Sequence, residues 1–179
     1  QAPGGTVLDQ INLLPGVNFT GNDAFGSAGG DISLRGFDSQ RIALLFDGQP
    51  LNDTGNYEIY PNQQLDPELI ESVTVNLGTT DVDSPTAAAA GGTINYVTVR
   101  PTEEFGVRVV GSAGDEDYIR GFVMLNTGAI GPWGTTAFAS ASYANNNVFN
   151  GPGEIEKQQY NARIFQDLGG RNDFVSVAF

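Results

Sequence analysis

The stretch ISLRGFDSQRIALLFDGQPLND, residues 32–53, carries the most structural information in this chain. It holds two short β-rich runs, residues 32–35 and 42–46. The first closes on Leu34-Arg35-Gly36 and the second runs into Asp47-Gly48. Asp-Gly reads as a tight turn, because both residues tolerate the positive φ that such turns require. Gly36, Gly48, Gly91 and Gly92 read as backbone requirements rather than as chemical groups. Two more β-rich runs follow, residues 72–77 and 93–100, and residues 67–70 suit a short helical turn. Upstream, Val7, Leu8, Ile11 and Leu14 share one helical face, with Thr6 as N-cap and Pro15-Gly16 as the stop. Long Gly- and Asn-rich loops cover residues 20–30 and 52–64. Loops beyond about 12 residues in a compact unit are commonly functional or disordered. Residues 1–101 therefore read as a small α+β unit.

Composition removes several functions. The 179 residues carry 21 acids against 8 bases, a formal charge of −13, with no histidine and no cysteine. Such a chain repels a phosphate backbone, so nucleic-acid binding is not expected. Zinc sites of Cys/His type, thiol catalysis, disulfides and Ser-His-Asp triads have no residues to build them. The glycine-rich residues 21–30 lack the Gly-Lys-Ser/Thr ending of a phosphate loop. Asp81, Asp83 and the run 115–117 could offer oxygens to Ca²⁺, but no EF-hand spacing supports this, and acidic turns are ordinarily solvated. No cofactor and no catalytic group is assigned.

The character of the chain changes near Pro101. Residues 1–101 carry 12 acids and 3 bases, residues 102–179 carry 9 and 5. In the second part, residues 135–143 (TTAFASASY), 159–166 and 174–179 alternate between two faces, and residues 105–111 and 118–126 complete five candidate strands. Connections 129–134 and 168–172 are tight, whereas 145–156 is expected to be a long polar loop. Alternating strands with short turns on one side and long loops on the other are the pattern of an outer-membrane barrel. Tyr118, Trp133, Tyr143, Phe149 and Tyr160 near strand ends suit an interfacial girdle. A soluble antiparallel sheet also alternates, so periodicity leaves both readings open.

Four blocks, LDQINLLPGV (8–17), the opening stretch at 32–53, LIESVTVNLG (69–78) and AAGGTINYVTVRP (89–101), occur in an order and spacing that resemble the plug domain of TonB-dependent outer-membrane receptors. The GPWG turn and its flanking strands resemble the start of that family's barrel. Residues 79–92 depart from the family's usual Gly-Pro-centred block. The resemblance implies an α+β plug domain (1–101) followed by antiparallel transmembrane β-barrel strands (102–179). These would be a fragment of a 22-stranded plugged barrel, so the chain is expected to be part of a longer protein. It implies a receptor of the Gram-negative outer membrane, not an enzyme. The cargo would be a scarce or bulky nutrient such as a siderophore-type iron chelate or a carbohydrate. Its partners would be a TonB-type energy-coupling protein, outer-membrane lipid and the nutrient. The implied ligand-facing residues lie on the plug's apical loops: Asn22, Asp23 and Phe25 in the first, and Asp53, Asn56, Tyr57 and Tyr60 in the second, with Tyr57 and Tyr60 foremost. Residues 145–150 would add an extracellular loop. Arg35 would pair with a carboxylate on the barrel's inner wall. The alternative is a soluble ligand-binding or adhesion module with a plug-like fold.

Overall fold

Thr6 accepts a hydrogen bond from the Asp9 amide, and the Asp9 carboxylate accepts one from the Thr6 amide at 2.7 Å, so a capping box opens α1 (Val7–Ile11). In the computed structural model, which describes residues 6–78, 86, 89–148, 151–169 and 173–179, this helix ends earlier than its apolar spacing predicts. Asn12 is the reason. Its side chain accepts from the Phe19 amide at 2.8 Å and donates to the Phe19 carbonyl at 2.9 Å, tying the helix end to a strand. That strand, β1 (Val17–Gly21), pairs antiparallel with β2 (Gly30–Leu34). β1 is absent from the sequence reading, because two buried residues, Val17 and Phe19, make too short a period to register.

The second sheet of this unit has the order β4–β3–β6–β5, with β3 (Ile42–Phe46), β4 (Gln49–Pro50), β5 (Ile70–Asn76) and β6 (Gly92–Thr98). β3 and β4 join through a tight turn with Asp47 at φ 48° and Gly48 at φ 81°. The Asp47 carboxylate accepts from the Thr98 amide at 2.9 Å and from the Thr98 hydroxyl, so the turn is fastened to the end of β6. β3 runs parallel to β6, and β5 antiparallel to it. Ile42, Ala43, Leu44 and Leu45 are all buried, as a central strand covered on both faces requires. With Leu8, Ile11, Phe19, Ile32, Ile94 and Tyr96 they form the core. Tyr96 donates its hydroxyl to Gln64 Oε1 at 2.8 Å, and burial pushes its phenol pKa well above the ordinary value.

The chain divides into two compact units, Gln1–Val99 and Arg100–Phe179. The second is a five-stranded antiparallel meander: β7 (Phe105–Ala113), β8 (Ile119–Thr127), β9 (Thr136–Asn147), β10 (Glu154–Asp167) and β11 (Phe174–Ala178). All five expected strands are present, but β9 and β10 are longer than predicted. Asn145, Asn146 and Asn147 pair with Glu156, Ile155 and Glu154, so the strands run into both ends of the expected loop 145–156. Within this unit the Arg100 guanidinium lies 5.1 and 5.0 Å from the Phe165 and Phe174 rings, which stack at 5.2 Å.

The two faces of this sheet are inverted relative to a soluble sheet. Val107, Val109, Ile119, Val123, Tyr160, Ile164, Val175 and Val177 lie on the exposed face, while Arg120, Asn126, Ser140, Ser142, Asn146 and Arg163 are buried on the other. Phe122, Met124 and Phe138 are buried on that inner face too, so the distinguishing face is the outer one, whose exposed apolar residues match the lipid-facing wall of a membrane barrel and decide the choice that periodicity left open. Tyr118 corrects the expected girdle: it is only 4% exposed and faces away from lipid. Phe149 lies outside the described residues.

Candidate functional site

β3 and β6 start side by side at Ile42 and Gly92, and the chain leaves β6 from the opposite end. The loop 51–60 is fixed at the starting end by Asn52. Its Oδ1 accepts from the Leu44 amide at 2.8 Å, and its Nδ2 donates to the carbonyls of Ile42 at 2.8 Å and Tyr57 at 2.9 Å. Asp53 Oδ1 accepts from the amides of Gly55 at 2.8 Å and Asn56 at 3.1 Å, which folds the loop tip. Asn56 then donates to the Tyr60 hydroxyl at 2.9 Å. Ser39 and Gln40 both donate to the Glu58 carboxylate, Gln40 at 3.1 Å. The result is a loop whose two tyrosines are held outward, Tyr57 57% and Tyr60 40% exposed. Tyr57 adopts φ 61°, a region that costs a side-chain-bearing residue roughly 1–2 kcal/mol. A cleft of about 320 Å³ opens beside this loop, lined by Asp53, Tyr60, Asn52 and Gln64 together with Leu44 and Leu51.

The first expected loop is built differently. Asp23 accepts from the amides of Ser27 at 3.0 Å and Ala28 at 3.2 Å, and Asn22 donates to the Ala28 carbonyl at 3.2 Å. Both polar side chains shape their own loop, and Phe25 is half-buried. Gly29 sits close to Asn62, where an added Cβ would lie 3.6 Å from Asn62 Oδ1. This brings the end of the first loop against the 3-10 turn Pro61–Gln63 that follows Tyr60. The structure thus gathers Asp53, Asn56, Tyr57 and Tyr60 into one hydrogen-bonded cluster and sets Asn22, Asp23 and Phe25 in a neighbouring loop. Asn52, Glu58 and Gln64 escaped the sequence reading. Adjacent polar residues in a turn give no periodic signal to separate the one that points inward from the one that points out.

Arg35 occupies a tight turn, with φ 52° at Arg35 and 85° at Gly36, closed by reciprocal backbone bonds between Leu34 and Phe37 at 3.0 and 2.9 Å. Its Nη1 donates to the Leu77 carbonyl at 2.6 Å, and its amide to the Gly16 carbonyl at 2.7 Å. The exposed guanidinium therefore ties the β1–β2 hairpin to the end of β5. Among the described residues no three acidic side chains converge on a metal position. Asp81 and Asp83 lie outside the described residues.

Residues 1–93 match the family model of the TonB-dependent receptor plug domain. The chain belongs to the TonB-dependent receptors, which are receptors of the Gram-negative outer membrane and not enzymes. It is similar to the probable TonB-dependent siderophore receptor PirA of Acinetobacter baumannii, 32% identical over 114 residues, 55% of this chain and 14% of that protein. It is also similar to the heme transporter BhuA of Brucella suis, 32% identical over 139 residues, 68% of this chain and 20% of that protein. Among solved structures, FpvA of Pseudomonas aeruginosa bound to pyoverdine superposes with a TM-score of 0.77 at 24% identity, over 97% of this chain and 22% of that one. At that identity the likeness shows the fold: a plug followed by strands of a plugged barrel. The chain spans a fifth or less of the length of these two relatives.

Proposed function

We propose that residues 1–101 form the plug and residues 102–179 the opening strands of a receptor for TonB-coupled uptake of an iron chelate of siderophore or heme type, held at loops 21–29 and 51–60. The observation that carries this reading is the 51–60 cluster. Two exposed tyrosines are pre-set by the Asn52, Asp53 and Asn56 hydrogen bonds beside a cleft of about 320 Å³. A cleft of that size suits a small ligand, with rings supplying contact area and polar groups fixing orientation. The printed names of the relatives, siderophore receptor and heme transporter, support the ligand class. The partners in this reading are the ligand, outer-membrane lipid and an inner-membrane protein of TonB type. Chelate binding biases a two-state element of the plug, and the coupling protein reads that bias. The cleft lining given above carries amides, one carboxylate and no base, which also fits a neutral carbohydrate as a second ligand class.

Arg35 is proposed as the plug's ion-pair residue toward the barrel wall. On the described strands the polar face carries Arg108, Arg120, Lys157 and Arg163, with Asp167 the acid at a strand end.

The test is a titration of the full-length receptor with ferric siderophores and hemin, followed by tyrosine and tryptophan fluorescence. Replacing both rings, Tyr57→Ala with Tyr60→Ala, removes contacts of roughly 1 kcal/mol each, so affinity should fall on the order of 10-fold or more. Unchanged affinity for every ligand that binds the wild type removes this loop from the site.

A further inference from the structure

Once the internal hydrogen bonds of loop 51–60 are set aside, a small group of side chains is left facing the cleft beside it. Asp53 lines the cleft and lends Oδ1 to the amides of Gly55 and Asn56 at 2.8 and 3.1 Å. Its Oδ2 accepts no hydrogen bond among the described residues. Asn52 is committed to Leu44, Ile42 and Tyr57, and Gln64 Oε1 to the Tyr96 hydroxyl. Thr54 and Gln63, which also line the cleft, make no side-chain hydrogen bond among the described residues. The Tyr60 ring is fixed by the bond from Asn56 to its hydroxyl at 2.9 Å. A ligand therefore meets one carboxylate oxygen, a hydroxyl, an amide and an aromatic ring, with apolar contact from Leu44 and Leu51 and no base.

The surroundings carry the same sign as Asp53. Residues 1–99 hold 12 acids against two bases, Arg35 and Arg41. Arg35 is bound to the Leu77 carbonyl, and Arg41, exposed at the end of the 3-10 turn Ser39–Arg41, does not line the cleft. Within loop 51–60 the charged side chains are Asp53 and Glu58, both acids. Such a field gathers cations and repels anions. A carboxylate beside an aromatic ring is also the pairing that holds an ammonium or a guanidinium, since the carboxylate neutralises the charge and the ring face attracts it. We propose that the 51–60 cleft recognises a cationic group of the cargo, an ammonium or guanidinium, with Asp53 Oδ2 as counter-ion and the Tyr60 ring as aromatic wall. Thr54 and Gln63 accept the remaining N–H bonds of that group. The assignment rests on the reading of this loop as part of the chelate site, and it narrows the cargo to chelates that expose a cation. A neutral sugar has the same hydrogen bonds open to it but draws nothing from the net charge, so charge is the property that separates the two.

The probes are two ferric complexes that differ by a single charge. One is ferric desferrioxamine B, whose chain ends in a free ammonium, and the other is the same chelate acetylated at that nitrogen. Ferric enterobactin is the anionic comparison. Each is titrated against the full-length receptor by tyrosine and tryptophan fluorescence. The ammonium form should bind about 3- to 30-fold more tightly than the acetylated form, the combined effect of one exposed ion pair and one cation–π contact. Asp53→Asn keeps the Oδ1 acceptor that folds the loop tip and removes the charge, so the ratio should fall to what the ring alone supports. Asp53→Asn with Tyr60→Leu should bring it to one. Gln63→Lys sets a base in the cleft from an exposed position and should reverse the preference, which keeps the test open if Asp53→Asn fails to fold. Equal binding of the two ferrioxamine forms, or tighter binding of ferric enterobactin than of either, overturns the cationic assignment. A ratio that neither Asp53→Asn nor Gln63→Lys moves overturns it too. The loop reading is decided separately, because any chelate whose affinity falls in the Tyr57→Ala, Tyr60→Ala receptor keeps loop 51–60 in the site. Binding of none of the three overturns the assignment, and a hemin titration under the same conditions then decides whether the iron-chelate reading falls with it.

Discussion

Asn52→Ala is the perturbation that bears most directly on the candidate site, because one amide side chain makes three of the bonds that hold loop 51–60. It accepts from the Leu44 amide and donates to the carbonyls of Ile42 and Tyr57, at 2.8, 2.8 and 2.9 Å. Each such bond contributes about 1 kcal/mol net, and the buried Leu44 amide left without its acceptor costs a further increment. The exposed bond to Tyr57 is partly replaced by water. A local cost of about 2–3 kcal/mol is therefore expected, equivalent to about 30- to 150-fold in a local opening equilibrium. The assay is hydrogen exchange of the full-length receptor, read by mass spectrometry over peptides covering residues 42–60. Exchange at the Leu44 amide and across 53–60 should accelerate by that factor, while β7–β11 stays unchanged. Asn52→Asp should be at least as damaging, because the new oxygen faces the Ile42 and Tyr57 carbonyls where a donor stood. A change of less than threefold in both variants would refute the reasoning, since the loop would then be held by something other than Asn52.

Two further outcomes follow from the plug's interior. Gly92 has φ 131°, and an added Cβ would lie 2.3 Å from the Asn76 carbonyl oxygen, whereas Gly36, at φ 85°, has nothing within 4 Å. Gly92→Ala should cost about 3 kcal/mol or more and Gly36→Ala about 1 kcal/mol, read as protease sensitivity of the plug in the purified receptor; equal sensitivity would show that backbone conformation, not overlap, dominates both. Tyr96 has its phenol pKa raised by burial, so the folded value lies above the unfolded value of about 10. Its contribution to stability is complete below the unfolded value and is lost as pH rises past it toward the folded one, because only the unfolded chain ionises there. Ultraviolet difference absorbance should show fewer tyrosinates in the folded receptor than after alkaline unfolding, a difference that Tyr96→Phe lowers by one.

Much of the plug was legible because its elements announce themselves locally. Thr6 read as an N-cap, Asp47-Gly48 as a tight turn, and the apolar run at 42–46 as a strand. What was illegible depended on partners distant in sequence. β1 exists because Asn12 and β2 hold it, and the helix stops at Ile11 because Asn12 is drawn to Phe19. For the seven expected site residues, the sequence marked two polar loops but not the hydrogen bonds made within them. Asn22 and Asp23 spend their polar atoms on backbone amides and carbonyls, while the unremarked Asn52 anchors the other loop. Composition marks a loop as polar; only the closed set of hydrogen bonds shows which polar groups are left to meet a ligand.

The strands teach the complementary lesson. Alternation over residues 135–143 was visible, but it could not say which face met lipid, since three of the outward residues in that stretch, Ala137, Ala139 and Ala141, are alanine. The pairing supplied the answer by setting those alanines between Val123 and Leu125 on one side and Tyr160 and Ala162 on the other. It also explains why β9 and β10 ran past their predicted ends. Cross-strand hydrogen bonds do not depend on apolar outward residues, so Asn145, Glu154, Glu156 and Gln158 interrupt the hydrophobic period without interrupting the sheet. Periodicity reports what a strand face meets, whereas pairing sets where the strand ends, and here the pairing runs past the end of the period.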